Sequence, residues 1–217
     1  MLSNLSNLKT IKIKNLDFHE SFDFLSMGLL SFLTKINFDQ VFMQEDDFRF
    51  LMESIGKKLA QFTISYYRYE HDASFYLQEI FNKCTNLKSL DVDFAIIKDL
   101  KLVNIPSLKD FILNVKRITF DKSSERLENV ENLKFHVKFA LDKEFAHLLH
   151  FCPLLRNLNL TCTYNESYLT SKAFKNLKYL KKLNLVIYYD KDFLNAVDIV
   201  TKSQTCIDFT IIRNFRH

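Results

Sequence analysis

Tryptophan is absent from these 217 residues, and glycine and proline occur only twice each. That scarcity excludes collagen-like segments, flexible linkers, glycine-rich phosphate loops and an all-β protein with many tight turns. The four cysteines, Cys84, Cys152, Cys162 and Cys206, lie far apart with no CxxC spacing, so neither a disulfide framework nor a zinc site is expected. Lysine and arginine are scattered without a run of five, and the net charge of +4 does not amount to a nucleic-acid footprint. No stretch approaches the roughly 18 apolar residues of a membrane helix. The opening MLSNLSNLKTIKIK alternates polar and apolar residues and lacks a signal-peptide core. An intracellular location, cytoplasmic or nuclear, is expected by default. Without a secretory route the sequons at Asn4, Asn159 and Asn165 mean little.

Catalytic constellations are missing too. There is no GxSxG, no P-loop and no HExxH. HLLH places His147 and His150 on adjacent helical turns, but no carboxylate stands at motif spacing beside them. The plentiful carboxylates follow solvent-facing positions, so no acid/base pair singles itself out. No enzyme activity, cofactor or metal is expected.

What is present is a folded composition, 47% hydrophobic and 26% charged, with 22 phenylalanines expected to replace leucine in the core. It carries a recurring pattern, Lxx-Φ-x-Φ with Φ apolar. The copies are LKTIKI, LTKINF, LAQFTI, LKSLDV, LKDFIL, VENLKF, LRNLNL and LKKLNL. Their first strand positions are Ile11, Ile36, Phe62, Leu90, Phe111, Leu133, Leu158 and Leu183, at steps of 25, 26, 28, 21, 22, 25 and 25 residues. A weaker ninth copy lies near Ile207 and Phe209. Steps confined to this range fall within the leucine-rich-repeat period.

The intervening segments 21–33, 45–59, 73–84, 142–152, 165–180 and 191–200 have apolar residues at helical spacing. Between 93 and 108 and between 114 and 130 there is less room, and a turn or irregular loop is expected. Each strand–helix unit has an apolar side that it cannot bury alone, so stacking makes the core continuous. The expected fold is an α/β leucine-rich-repeat solenoid of about 8–9 repeats spanning 1–217 as one domain. Its parallel sheet is expected to curve, with the helices on the convex side.

CTNLKSLDV (84–92) and CPLLRNLNL (152–160) resemble the cysteine-containing repeats of F-box/LRR proteins and their LRR-only relatives, and 36–59 is similar to the strand–loop–helix body of those repeats. The resemblance implies that Cys84 and Cys152 pack inside the turn as small hydrophobes. It also implies a protein-binding module, the substrate-recruiting repeats of a ubiquitin ligase; the alternative is an LRR-only structural or regulatory scaffold. The F-box itself is missing: a repeat begins by Leu5, with no Leu-Pro-acidic opening.

Strand alternation turns the neighbours of core residues outward. The expected partner-binding residues are Lys12, Lys14 and Lys35 at a basic start, Asp91, Asp93 and Asp110 at an acidic middle, and Asn157 and Asn159 at an amide-rich end. The acidic middle fits a basic segment of a protein partner and would repel a phosphate backbone, so RNA is not the expected ligand. Tyr66, Tyr67, Tyr69, Tyr164, Tyr188 and Tyr189 gather after strands, as rim anchors or as loop packing. Neither end looks polar enough to cap the core, so further chain or end-to-end self-association is expected.

Overall fold

The computed structural model describes residues 8–17, 32–66, 72–139, 142–162, 174, 177–187 and 208–213. Nine strands form one all-parallel sheet in sequential order: β1 (Thr10–Asp17), β2 (Lys35–Phe42), β3 (Gln61–Tyr66), β4 (Ser89–Leu100), β5 (Asp110–Phe120), β6 (Asn132–Phe139), β7 (Asn157–Cys162), β8 (Lys182–Ile187) and β9 (Asp208–Arg213). Helices α1 (Glu45–Ile55), α2 (Ser74–Lys83) and α3 (Asp142–Phe151) lie in the connections. This is the arrangement of a leucine-rich-repeat-like solenoid of about nine repeats. No helix among the described residues is long and apolar enough to cross a membrane.

The register carries the repeat without a slip. Thr10, Lys35, Gln61, Ser89, Asp110, Asn132, Asn157, Lys182 and Asp208 pair in turn as the first strand position. Every junction from β1 to β8 has the same lock. The carbonyl just before one strand accepts two N–H groups from the start of the next: Lys9 from Thr34 and Lys35, Lys109 from Glu131 and Asn132, Arg156 from Lys181 and Lys182, all at 2.8–3.0 Å. Two residues before each strand, Leu33, Leu59, Leu87, Leu108, Val130, Leu155 and Leu180 form a fully buried column. The ninth copy settles two residues later than Ile207: Phe209 pairs with Leu183 and Ile211 with Leu185.

Positions two and four of the strands face the helices. Phe38, Phe62, Phe111 and Phe135 stand there where other repeats have Leu, Ile or Val, and all are buried. α1 contributes Phe48, Leu51, Met52 and Ile55, and α2 contributes Tyr76, Leu77, Ile80 and Phe81. Rings connect successive repeats: Phe48 meets Tyr76 edge-on at 5.0 Å, and Phe81 meets Phe111 at 6.0 Å. The buried Tyr76 hydroxyl donates to the Met43 carbonyl at 2.6 Å, so its polar end is satisfied. Glu45, Asp46 and Asp47 in the first turn of α1 suit the positive end of its dipole.

Cys84 and Cys152 are completely buried, each accepting a hydrogen bond at its carbonyl from Leu87 and Leu155. Ile105, Leu127 and Leu177 make the same three-residue closure in their repeats, so the column is an apolar plug and sulfur chemistry is incidental to it. Burial pushes both thiols up to about 12. Gly56 accepts from the Leu59 N–H in the same way, and a Cβ there would stand 3.0 Å from the Lys83 carbonyl oxygen, so the end of α2 would have to give way to a side chain.

Two connections differ from the expected loops. β4 runs on to Leu100 and β5 to Phe120, in register through Ile97 and Ile118. Where the repeat shortens, a helix rising 1.5 Å per residue cannot return the chain in time, whereas extended backbone covers about 3.3 Å per residue. Phe94, Ala95, Ile97 and Leu100 fill the core there instead of a helix. In β2 the left-handed Gln40 (φ 56°) inverts the alternation, so that Val41 enters the core and the amide does not. The helices expected in 21–33, 165–180 and 191–200 fall almost wholly outside the described residues. Tyr66 is buried and packs 5.3 Å from Phe42, so it is no rim anchor; the other expected rim tyrosines lie outside the described residues.

Leu158→Asp places an unpaired charge in this core and is expected to cost about 4 kcal/mol or more, abolishing a single cooperative denaturant transition. Leu154→Asp, on the exposed turn before the same strand, is expected to stay within about 0.5 kcal/mol of wild type. Comparable curves for the two variants would contradict the packing.

Candidate partner surface

Positions one, three and five of the strands point away from the helices and form three rows on the open face of the sheet. All eight expected residues stand in these rows. The first row holds Lys35, Asp110 and Asn157, the third Lys12, Asp91 and Asn159, and the fifth Lys14 and Asp93.

The basic start is partly neutralised. Lys14 Nζ lies 2.6 Å from Asp39 Oδ2, and the Ser65 hydroxyl donates to the other oxygen of Asp39 at 3.1 Å. Those two contacts hold the Asp39 carboxyl below its usual range. The same Ser65 oxygen accepts the Gln40 N–H at 3.1 Å and so satisfies the bulged backbone.

The acidic middle divides in two. Asp91 and Asp93 are neighbours on β4, and burial raises both carboxyls. Lys134, two strands away, draws Asp91 back down, whereas Asp91 and Asp39 push Asp93 further up. Asp110 stands apart: its register partners are Ser89 and Asn132, and Ile112 is the residue beside Asp91. The Asp110 carboxylate accepts from Asn132 Nδ2 at 2.6 Å, and the Asn132 carbonyl oxygen accepts from Asn157 Nδ2. This ladder ties three strands together along the first row. His136, in the fifth row, is held below its usual value by burial and by Lys134.

Between the first and third rows lies a trough of about 370 Å³ across β4 to β8. Asp110, Asn132, Asn157 and Lys182 form one wall; Ile112, Lys134, Asn159 and Asn184 form the other. The expected set omitted Asn132, Lys134, Lys182 and Asn184. Alternation within VENLKF and LKKLNL already turns them outward; the column register across five repeats is what brings them into one trough. No group of three or more His, Cys, Asp or Glu among the described residues could hold a metal ion.

No protein-family model matches the chain, and no curated protein matches it. A crystal structure of a Bacteroides fragilis protein, from the Northeast Structural Genomics Consortium, is similar at 13% identity and a TM-score of 0.51, over 89% of this chain and 70% of that one. The likeness is one of fold alone.

The charge pattern has a testable consequence for stability. A carboxyl raised by folding binds more protons in the native state between its usual and its raised value. Its ionisation therefore removes stability as pH climbs through that window. Asp93→Asn keeps a hydrogen-bonding group beside Asn114 and is expected to raise the melting temperature at pH 7, with the difference vanishing near pH 3. For His136 the sign is opposite: a depressed imidazole loses stability as pH falls through the ordinary histidine range. His136→Asn is expected to flatten that decline between pH 7 and 5. Thermal melts of the two variants across pH read both effects.

Proposed function

We propose that the protein is a non-catalytic recognition module that binds a protein partner on the open face of its sheet. The supporting observation is the face itself: three mostly polar rows, interrupted by Ile112, Val186 and Ile212, in unbroken register over nine strands, on the side opposite the apolar core. Half-buried carboxylates at Asp91 and Asp93 leave a desolvated negative site suited to a basic segment of that partner. In the finer reading, taken from the resemblance of CTNLKSLDV and CPLLRNLNL to F-box/LRR repeats, the partner is a substrate delivered to a ubiquitin ligase. The alternative is a scaffold without that link. Depleting the protein lengthens the partner's half-life on the first reading and leaves it unchanged on the second.

A photo-crosslinking residue at Thr63, in the third row of β3, is expected to capture the partner. The same residue at Asn82, exposed on α2, is expected not to. Capture from Asn82 alone would place binding on the helices and end the open-face reading. With the captured partner in hand, reversing Asp91, Asp93 and Asp110 together to Lys is expected to weaken affinity about tenfold or more and to reduce its salt dependence. An unchanged salt slope would make the aspartates a solvated surface.

End-to-end association is proposed as well. Phe209 stands in the core row beside Leu183 and is still 53% exposed, on the last strand of the sheet. Sedimentation of the purified chain is expected to show a concentration-dependent dimer that Phe209→Glu shifts to monomer; a monodisperse wild-type monomer at high concentration would refute it.

A further inference from the structure

β1 and β9 are the two edges of the sheet, and each shows the surface that one more strand would cover. From β2 to β8 the turn residue two before the strand and the side chains at strand positions two and four are at most 4% exposed. The same three positions of the first repeat, Leu8, Ile11 and Ile13, are only partly buried. At the other edge position two is Phe209, 53% exposed. The core row is therefore open at both edges and closed at every described position between them.

The backbone groups of the two edges are complementary. The Lys9 carbonyl accepts from Thr34 and Lys35, so the first, third and fifth N–H groups of a strand point back to the preceding repeat and the second and fourth point forward. In each repeat from β2 to β8 the last N–H before the strand and the first within it share one carbonyl of the repeat behind. The corresponding pair at β1, the N–H groups of Lys9 and Thr10, has no acceptor among the described residues. On β9 the groups that face forward are the N–H and C=O of Phe209 and Ile211, and no further strand among the described residues takes them.

We propose that β1 of a second copy adds to β9 as the next parallel strand, so that copies stack head to tail. The proposal rests on the end-to-end association through Phe209 and names what that ring meets, which is Ile11 of the next copy with Leu8 behind it. Continuing the register sets Thr10 of that copy beside Asp208, Lys12 beside Thr210 and Lys14 beside Ile212. No like charges are opposed in the three rows. The lysine stem can lie along the isoleucine with its ammonium in water. The occupant is selected by the repeat itself. A strand that fits must bring a pair of backward N–H groups, an apolar turn residue two before it and apolar side chains at positions two and four. Among the described strands, β1 has all of these with its backward edge open. Two-fold contacts fit less well. β9 against β9 would run antiparallel and set the turn column of one copy against the far ends of the other's strands. β1 against β1 would bring Lys12 and Lys14 of both copies together. A contact between unlike ends leaves a free edge on each copy added, so assembly continues past two.

The test is sedimentation of the purified chain and of variants blocked at one edge. Wild type is expected to pass from monomer to dimer and on to longer species as concentration rises. Thr10→Pro removes a backward N–H that β1 does not use within its own sheet, at the first residue of an edge strand, where proline is tolerated. It is expected to weaken association about tenfold or more. Lys12→Pro, on the same edge, is expected to do likewise, and Phe209→Glu blocks the opposite edge. Each variant is first matched to the wild-type denaturant transition, and a proline variant that loses it is replaced by the other. Thr10→Pro and Phe209→Glu, mixed one to one where each alone is monomeric, are expected to form a heterodimer and nothing longer, because the open β9 of one meets the open β1 of the other. Proline variants that dimerise as wild type does, while Phe209→Glu does not, overturn head-to-tail pairing and leave β9 against β9 as the end contact. A mixture that stays monomeric, or a wild type that stops at two, overturns it as well. A wild type monomeric at every concentration removes the end-to-end association itself.

Discussion

Everything in this fold hangs on one shared carbonyl per repeat. The peptide oxygen before each strand accepts two N–H groups from the start of the next, and a buried leucine or valine one step earlier pins the chain beside it. A slip of one residue would carry every core side chain of that strand onto the open face and bring charge inside. The lock is repeated whether the connection that follows is long or short. Length variation is therefore absorbed between strands and never reaches the register. The three open rows are a consequence: they are straight because the lock is the same in each repeat.

Straight rows make neighbours of residues that are distant in sequence, and the electrostatics follow from that. Lys14 meets Asp39, and Asp110, Asn132 and Asn157 hydrogen-bond in series. Lys134 acts on Asp91 and His136 together. The face is thus neither a uniform acidic patch nor a scatter of solvated groups. It has a neutralised beginning, a desolvated acidic site on β4 and an amide-walled trough whose lining also carries Asp110, Lys134 and Lys182. Desolvation at Asp91 and Asp93 raises both carboxyls and costs the folded protein stability when they ionise.

The core tolerates more variety than the register does. Phenylalanine, leucine, isoleucine and valine exchange between equivalent strand positions, because each phenylalanine there finds an edge or face of another ring, in its own or an adjacent repeat. The turn column accepts cysteine, isoleucine, leucine and, where the end of α2 presses in, glycine. Such exchanges work when volume is redistributed between adjacent repeats. They also explain why a repeat so regular in space is so degenerate in sequence, and why its likeness to a solved structure is confined to fold at 13% identity.

Periodicity within a strand is a local property, and the sequence by itself therefore determined the repeat, its eight strong copies, the parallel sheet and the outward set Lys12, Lys14, Lys35, Asp91, Asp93, Asp110, Asn157 and Asn159. Alternation says which way a side chain points; it does not say what stands beside it. Only the tertiary structure decided that Lys14 is tied to Asp39, that Asp110 belongs to the amide ladder and not to the Asp91–Asp93 pair, and that Asn159 and Asn184 wall a trough with Lys134. It also decided that Phe209 starts the last core row, that β4 and β5 stay extended, and that Tyr66 turns inward. Each of these depends on how the connection between two strands returns the chain to the sheet. That path is set by what the whole stack leaves room for, which no window of one repeat contains.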